Sequence, residues 1–145
     1  MAVYRIQEGQ FDLAGTWQDR SVTMLVPDGL PDGVSLVVTR DALPPALDLD
    51  GHLARQLMTM RREMPGLTLL ADSATTVDGR PARLMEVRWV NGDQPLYQMV
   101  VVVLDEQRLL NFTASAPGAA SDTSVRETLW RTIAGFTFGR AAMAS

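Results

Sequence analysis

The sequence predicts a single α+β domain, a twisted antiparallel sheet of about six or seven strands with a central and a C-terminal helix packed on it. Extended segments in the second half of the chain are joined by short connectors. Two of these contain Asp-Gly and Asn-Gly dipeptides, which favour tight hairpins. Two other segments place apolar residues at helical spacing. Strands clustered in hairpins with only two helices are typical of the α+β class, and 145 residues fit one domain, residues 1–145.

The first half of the chain alternates short extended segments with turns. Strands are predicted over residues 3–6, 11–13, 21–26 and 34–40. The PDGLPDG connection at 27–33 precedes the last of them, and the paired prolines at 44–45 follow it, because proline cannot donate to a sheet ladder. Apolar residues at helical spacing then predict a helix that begins at Asp48 or Asp50 as its cap and ends near Glu63.

The second half is expected to form four strands followed by a helix. The strands are predicted over residues 67–77, 81–90, 95–104 and 107–115. The last helix is expected to start between Ser121 and Ser124, with Ser124 and Glu127 spaced as a capping box. The positions expected to face the sheet are Val125, Leu129 and Ile133, and the expected i,i+4 ion pairs are Asp122–Arg126 and Glu127–Arg131. We expect both helices to cover the same face of the sheet.

Composition and charge exclude several classes of function. All 13 basic residues are Arg and none is Lys, so a catalytic amine, a Schiff base and a P-loop lysine are excluded. The absence of Cys excludes thiol nucleophiles and cysteine-based zinc sites. A net charge of −4 argues against nucleic-acid binding, which needs a basic surface. The N-terminus has no signal-peptide pattern and the apolar run Met99–Leu104 is too short to span a bilayer, so a cytoplasmic protein without direct membrane insertion is expected.

Candidate catalytic and metal-binding residues are few. The single histidine, His52, has no recognisable Ser or Cys nucleophile to serve, and a structural role in the central helix is the preferred interpretation. The DLDGH segment resembles part of a calcium loop, but the required oxygen ligands fall on Ala46 and Leu57. We therefore predict that the chain is not an enzyme and has no cofactor or metal site.

One strand carries apolar residues on both faces. Leu96, Val100 and Val102 alternate with Tyr97 and Val101, and a lone polar side chain, Gln98, lies within the run. A sheet with one face in water should alternate apolar and polar residues instead. Two interpretations stay open: a sheet covered by helices on both faces, or an exposed apolar groove in which several of the chain's eight methionines adapt to varied hydrophobic segments.

Residues scattered along most of the chain resemble the Eag-type chaperones of type VI secretion effectors. This is a DcrB-like family, formerly of unknown function, with a Mog1/PsbP-like fold. The agreeing elements are Tyr4-Arg5, Trp17-Gln18-Asp19 followed by Ser21, Thr39-Arg40-Asp41, the ARQL segment at 54–57, and Trp89 before the hairpin that leads to Gln98. The chain departs from the family in its PDGLPDG loop and in Met24, which replaces a branched residue.

The resemblance implies a homodimeric chaperone that shields the hydrophobic N-terminal transmembrane helices of an effector before a PAAR spike domain. It also places glutamines at Gln56 and Gln98, where each neutral amide could bond a guest helix at a lower desolvation cost than a charge. Trp17, Asp19 and Arg40 are expected to support the fold. The residues predicted to bind the effector helices are Val22, Met24, Val37, Gln56, Gln98 and Val100.

Two alternatives remain open at this point. The first is a small accessory protein, or a binder of hydrophobic ligands, with the same fold. The second is an enzyme or small-ligand binder whose pocket lies on the apolar face of the sheet. A long dry groove would favour the chaperone, whereas a polar pocket with clustered titratable groups would favour the enzyme.

Overall fold

The computed structural model describes residues 2–118 and 121–139 and contains eight strands and two helices in that part of the chain. The strands are β1 (Ala2–Ile6), β2 (Gly9–Leu13), β3 (Thr23–Leu25), β4 (Ser35–Ala42), β5 (Thr68–Val77), β6 (Arg80–Asn91), β7 (Gln94–Asp105) and β8 (Arg108–Pro117). The helices are α1 (Leu49–Glu63), between β4 and β5, and α2 (Thr123–Ala134), after β8.

Six of the strands form one antiparallel sheet in the order β3-β4-β8-β7-β6-β5. The predicted α+β class and the sheet are confirmed. The Asp-Gly hairpin is also confirmed, since Asp78 and Gly79 both adopt positive φ angles, 48° and 77°, as a two-residue type I′ turn requires. β1 and β2 pair only with each other, so the first two predicted strands form a separate hairpin rather than part of the sheet.

The helices lie on opposite faces of the sheet, so the prediction that both cover one face is wrong. Val125, Leu129 and Ile133 of α2 pack in one core with Tyr97 and Val101, as their spacing predicted. A second core on the other face joins Leu53 of α1 to Val100, Val102, Met85 and Leu109. The reason lies in the strand order: β4 and β5 are far apart in the sheet, and α1 must cross a face to connect them. Strand β7, which carries apolar residues on both faces, is therefore covered by a helix on each face.

Both helices are capped by an aspartate, although only the cap of α1 was predicted correctly. The Asp48 carboxylate accepts the backbone N–H of Gly51 at 2.7 Å, which confirms Asp48 as the cap of α1. α2 is capped by Asp122, which accepts from Val125 N at 2.9 Å. The Ser124 capping box is therefore wrong, because the helix begins at Thr123 and Ser124 lies inside its first turn. Asp122 serves as the cap rather than as a partner of Arg126.

Candidate functional site

The candidate site is the sheet face on which α1 lies, called here the α1-side face. The register aligns Met24, Val37, Thr113 and Val100 in one row across β3, β4, β8 and β7. Side chains that are directly paired in register share a face, so all four belong to this face. Three interstrand steps of about 4.8 Å make the row about 14 Å wide.

Helix α1 covers the part of this face formed by β6, β7 and the start of β8, where Leu109 joins the same core. Leu53 packs there over Val100 and Val102, and Arg83 of β6 lies 3.7 Å from Asp50 in the first turn of the helix. Because Asp50 is exposed, this ion pair contributes little to the stability of the fold. Toward β3 the face is uncovered.

The six predicted binding residues differ in how much surface they offer. Met24 and the neighbouring Val22 are 62% and 61% exposed, and Val37 is half-buried. Val100 is only 9% exposed because it lies beneath α1. The accessible apolar surface therefore lies on β3 and β4 and just before β3, while Val100 forms the buried floor beside it.

Gln98 is held by side chains from both neighbouring strands. Its Oε1 accepts the indole N–H of Trp89 at 2.9 Å, and its Nε2 donates to Ser115 Oγ at 3.0 Å. One amide hydrogen and one oxygen lone pair remain for another partner. The half-buried amide therefore lies on the α1-side face in a fixed orientation, one row from Val100.

Gln56 lies on the side of α1 that carries Leu53, one turn further along. Its Oε1 atom is buried and has no hydrogen-bond partner among the residues that the structure describes. An unsatisfied buried carbonyl destabilises a fold by about 1–3 kcal/mol. Gln56 is thus more than a solvated helix position, because its carbonyl is withdrawn from water.

The sequence analysis missed a polar stripe on β8. Asn111, Thr113 and Ser115 occupy alternate positions and share the α1-side face with Gln98. Asn111 is 6% exposed; its Nδ2 donates to Thr39 Oγ1 at 3.3 Å and to Asp41 Oδ2 at 3.0 Å. The alternation of LLNFTASAP, polar at every second residue, is the signal that could have revealed it.

Residues before β3 form a polar junction with β4. The Asp19 carboxylate accepts the backbone N–H of Ser21 at 2.8 Å as well as its hydroxyl, and these bonds hold the pKa of Asp19 below its usual value. Arg40 reaches the Ser21 carbonyl at 3.5 Å. Trp17, in contrast, is 66% exposed and lies outside the core; its indole N–H donates to the nearby Ala14 carbonyl at 2.7 Å, which is a local support of the fold.

Other chemistry is sparse. His52 is half-buried in α1 and its Nε2 has no described partner. Over residues 2–118 and 121–139, no three His, Asp or Glu side chains come together as a metal site would require. In the same ranges, neither helix has the length and apolar character needed to cross a bilayer.

Sequence comparisons relate the chain to known proteins. The model of the DcrB family matches residues 8–134. Effector EagT6 from Pseudomonas aeruginosa is 26% identical over 133 residues, which are 90% of this chain and 91% of that protein.

Solved structures share the fold. A Pseudomonas aeruginosa protein of unknown function, PA94, superposes with a TM-score of 0.77 at 22% identity, over 96% of this chain and 97% of that one. Cyanobacterial PsbP (CyanoP) from Synechocystis superposes with a TM-score of 0.51 at 15% identity, over 85% of this chain and 95% of that one. The predicted PsbP-like fold is confirmed.

Proposed function

Because the chain belongs to the DcrB family, whose model spans residues 8–134, we propose that it is a non-enzymatic chaperone for a type VI secretion effector. It binds the hydrophobic N-terminal transmembrane helices that precede the effector's PAAR domain. It shields them in the cytoplasm, as a homodimer, until the effector is loaded. The similarity to a protein named as effector EagT6 supports the same secretion context.

The observation that carries this proposal is the uncovered part of the α1-side face. A transmembrane helix of about 20 apolar residues aggregates in water when it is left unaided, because its apolar side chains are exposed to the solvent. Met24, Val22 and Val37 provide apolar surface on this uncovered part, where the two interstrand steps from Met24 to Thr113 span about 10 Å, close to a helix diameter of about 10–12 Å.

Polar groups beside the apolar surface supply hydrogen bonds without buried charge. Gln98 keeps one amide hydrogen and one lone pair free, and the buried Gln56 carbonyl lacks a donor. A guest helix with a Ser, Thr or free backbone N–H at the right depth would bond Gln98 directly, and it would bond Gln56 once that side chain turned outward. Neutral amides are less costly to desolvate than charges, which suits a surface that must alternate between water and an apolar guest.

The mechanism is stoichiometric binding. Apolar contacts shield the guest, a few polar contacts set its position, and the complex dissociates when the effector is transferred. No nucleotide hydrolysis is needed. The guest only has to be more stable on the chaperone than exposed to water, and more stable at its final destination than on the chaperone.

The test compares two methionines of similar exposure. Met24 lies on the proposed surface, whereas Met58 is 67% exposed on α1 and therefore faces away from the sheet. Each variant, Met24→Asp or Met58→Asp, is co-expressed with the N-terminal fragment of a candidate effector. Size-exclusion chromatography with light scattering then gives the mass of the soluble complex.

We expect wild type and Met58→Asp to yield a complex of two chaperones and one guest. Met24→Asp should leave the guest insoluble while the chaperone keeps its fold and unfolding midpoint. Equal guest recovery with all three proteins would rule out the α1-side face as the binding surface.

A further inference from the structure

The outer face of α1 carries basic side chains without acidic partners. Arg55, Arg61 and Arg62 are exposed, and none of them forms an ion pair with a residue that the structure describes. Arg62 reaches only the Thr59 hydroxyl, at 3.5 Å. No Asp or Glu lies three or four residues from any of these arginines, so α1 itself offers them no ion pair. In a chain of net charge −4, this is a local positive surface.

Two exposed apolar residues lie between these arginines. Ala54 and Met58 are four residues apart and share one side of the helix, and Met58 is 67% exposed. Helix geometry places Arg61 on one side of this pair, and Arg55 and Arg62 on the other. These five residues, called here the α1 outer patch, span about 12 Å, or about two turns of helix.

The needs of the fold explain only part of the patch. Arg61 and Arg62 lie in the last turn of α1, where the helix dipole favours positive charge. Arg55 lies near the middle of the helix, beyond that effect. Met58 points away from the sheet, so the core does not require an apolar residue there.

Helix α2 offers a comparison, because it also packs one face on the sheet and exposes the other. Its outer Arg131 pairs with Glu127 at 3.5 Å. None of the large hydrophobic residues exposed in the described part of the chain lies on α2. Unpaired arginines around an exposed apolar side chain therefore distinguish α1 from the other helix of the same fold.

We propose that the α1 outer patch docks an acidic helix of a partner protein other than the guest. Met and Arg are enriched in protein interfaces, where an apolar centre is surrounded by a polar rim. Carboxylates are the groups that a guanidinium binds best, through two parallel hydrogen bonds. A helix with a Leu flanked by Glu would cover Met58 and pair with Arg55 and Arg62.

The number of charges favours a protein over the other polyanions. Basic clusters that bind anionic membranes contain about four to eight Lys or Arg, and nucleic-acid binding draws on contacts to several phosphates. The patch has three arginines, and the net charge of the whole chain repels both polyanions. An acidic helix needs only two or three carboxylates on one face to match it.

The patch lies beside the proposed guest surface but does not overlap it. Helix α1 contacts the sheet through Leu53 and carries Gln56 toward the guest, while Met58 faces outward. A partner docked on the patch would lie about one helix diameter, about 10–12 Å, from the guest. This position suits a protein that receives the loaded chaperone. The inference goes beyond the proposed function and does not depend on it.

The first experiment measures binding of a defined probe to the full chain without guest. The probe is a fluorescein-labelled, Ala-based helical peptide of about 20 residues, with Leu flanked by Glu on one face. In the control peptide, Gln replaces each Glu. We expect fluorescence anisotropy to give at least about tenfold tighter binding of the Glu peptide, weakened by added salt. Equal affinities, or no binding of either peptide, would overturn the proposal.

The second experiment locates the binding surface. Arg55→Gln is compared with Arg131→Gln, whose side chain on α2 is 74% exposed. Arg55→Gln should weaken binding of the Glu peptide about three- to fivefold, Arg131→Gln less than about twofold, and Met58→Asp at least about tenfold. All three positions are exposed, so we expect wild-type circular dichroism spectra. A loss in Arg55→Gln no larger than in Arg131→Gln would overturn the docking.

The remaining occupants are tested with the same proteins. Vesicles containing about 30% phosphatidylserine, and a DNA duplex of about 20 base pairs, should bind no more tightly than the Gln peptide. Tighter binding to either, lost in Arg55→Gln, would overturn the acidic helix as the occupant. Light scattering should give the same mass for wild type and Met58→Asp, and a lower mass in the variant would assign the patch to a second copy instead. Guest recovery with Met58→Asp is measured separately, so failure of the docking and failure of the proposed function are distinct results.

Discussion

The indole N–H of Trp89 donates to Gln98 Oε1 at 2.9 Å across the neighbouring strands β6 and β7. Because an indole nitrogen can only donate, the amide oxygen of Gln98 must face Trp89, and its NH₂ group then faces Ser115 at 3.0 Å. The two neighbours together fix which end of the amide points where. Trp89 therefore positions the group that we propose to bind the guest.

Replacing Trp89 by Phe should weaken guest binding without unfolding the chaperone. The variant keeps most of the apolar contact but removes the donor, so the amide of Gln98 can rotate. A typical hydrogen bond contributes about 0.5–1.5 kcal/mol net, and we expect a roughly three- to tenfold lower recovery of guest in limiting-chaperone co-purification. Trp130→Phe is the control, because Trp130 packs with the core on the α2 side. Equal losses in both variants would show that the effect is general destabilisation.

Replacing Gln56 by Leu should separate stability from function. Its buried carbonyl has no described partner, so the substitution should raise the free energy of unfolding by about 1 kcal/mol. Guest recovery should fall at the same time, since the proposed acceptor is lost. Urea denaturation and co-purification measure the two effects. Gln107→Leu, at an exposed turn position, is the control. A loss of stability in Gln56→Leu would mean that the glutamine supports the fold.

Local pattern was sufficient to predict the strands, hairpins and helices but not their assembly. Helical spacing identified the inner residues of α2, such as Leu129, yet spacing is the same whichever face of a sheet a helix covers. The faces depend on the strand order, which places β4 and β5 far apart. The alternation in β1 and β2 likewise predicted strands without indicating that they stand apart from the main sheet.

The candidate site shows the same limit. Gln98 was noticeable from the sequence as a polar residue in an apolar run, but its partner Ser115 is 17 residues away and meets it only through the β7–β8 register. The burial of Val100 depends on where α1 lies, which no local pattern gives. The sequence could provide the apolar character of the residues near β3 and the exceptional position of Gln98, whereas the resemblance added Gln56 and a binding role for both glutamines.

The cap of α2 provides a test of the capping residue, which the sequence analysis assigned to Ser124 instead of Asp122. Asp122→Ala removes the acceptor of the Val125 N–H and should lower the free energy of unfolding by about 1 kcal/mol. Ser124→Ala should change it by less than about 0.5 kcal/mol, because Ser124 is not the cap. Urea denaturation of both variants provides the comparison. A larger loss of unfolding free energy in Ser124→Ala than in Asp122→Ala would show that Ser124 is the cap after all.

The alkaline titration of the protein should report on Tyr97 with little interference. The chain has two Tyr, no Lys and no Cys, so in a Tyr4→Phe background Tyr97 is the only side chain that titrates between about pH 9 and 12. Burial, and then its hydrogen bond to Glu86, raise the pKa of Tyr97 above its usual value. The native absorbance at 295 nm should therefore stay flat where the urea-unfolded protein already titrates, near pH 10.

The same shift makes stability depend on pH in a defined direction. Above about pH 10 the unfolded chain loses the Tyr97 proton while the folded chain keeps it, so the unfolded state binds fewer protons and the free energy of unfolding falls as pH rises. Below that pH the contribution is fully present. Urea denaturation from pH 8 to 11 should show this decline in Tyr4→Phe and a flatter profile in Tyr4→Phe/Tyr97→Phe. Because Tyr97 is fully buried in the α2-side core, parallel profiles would mean that this core opens before the phenol ionises.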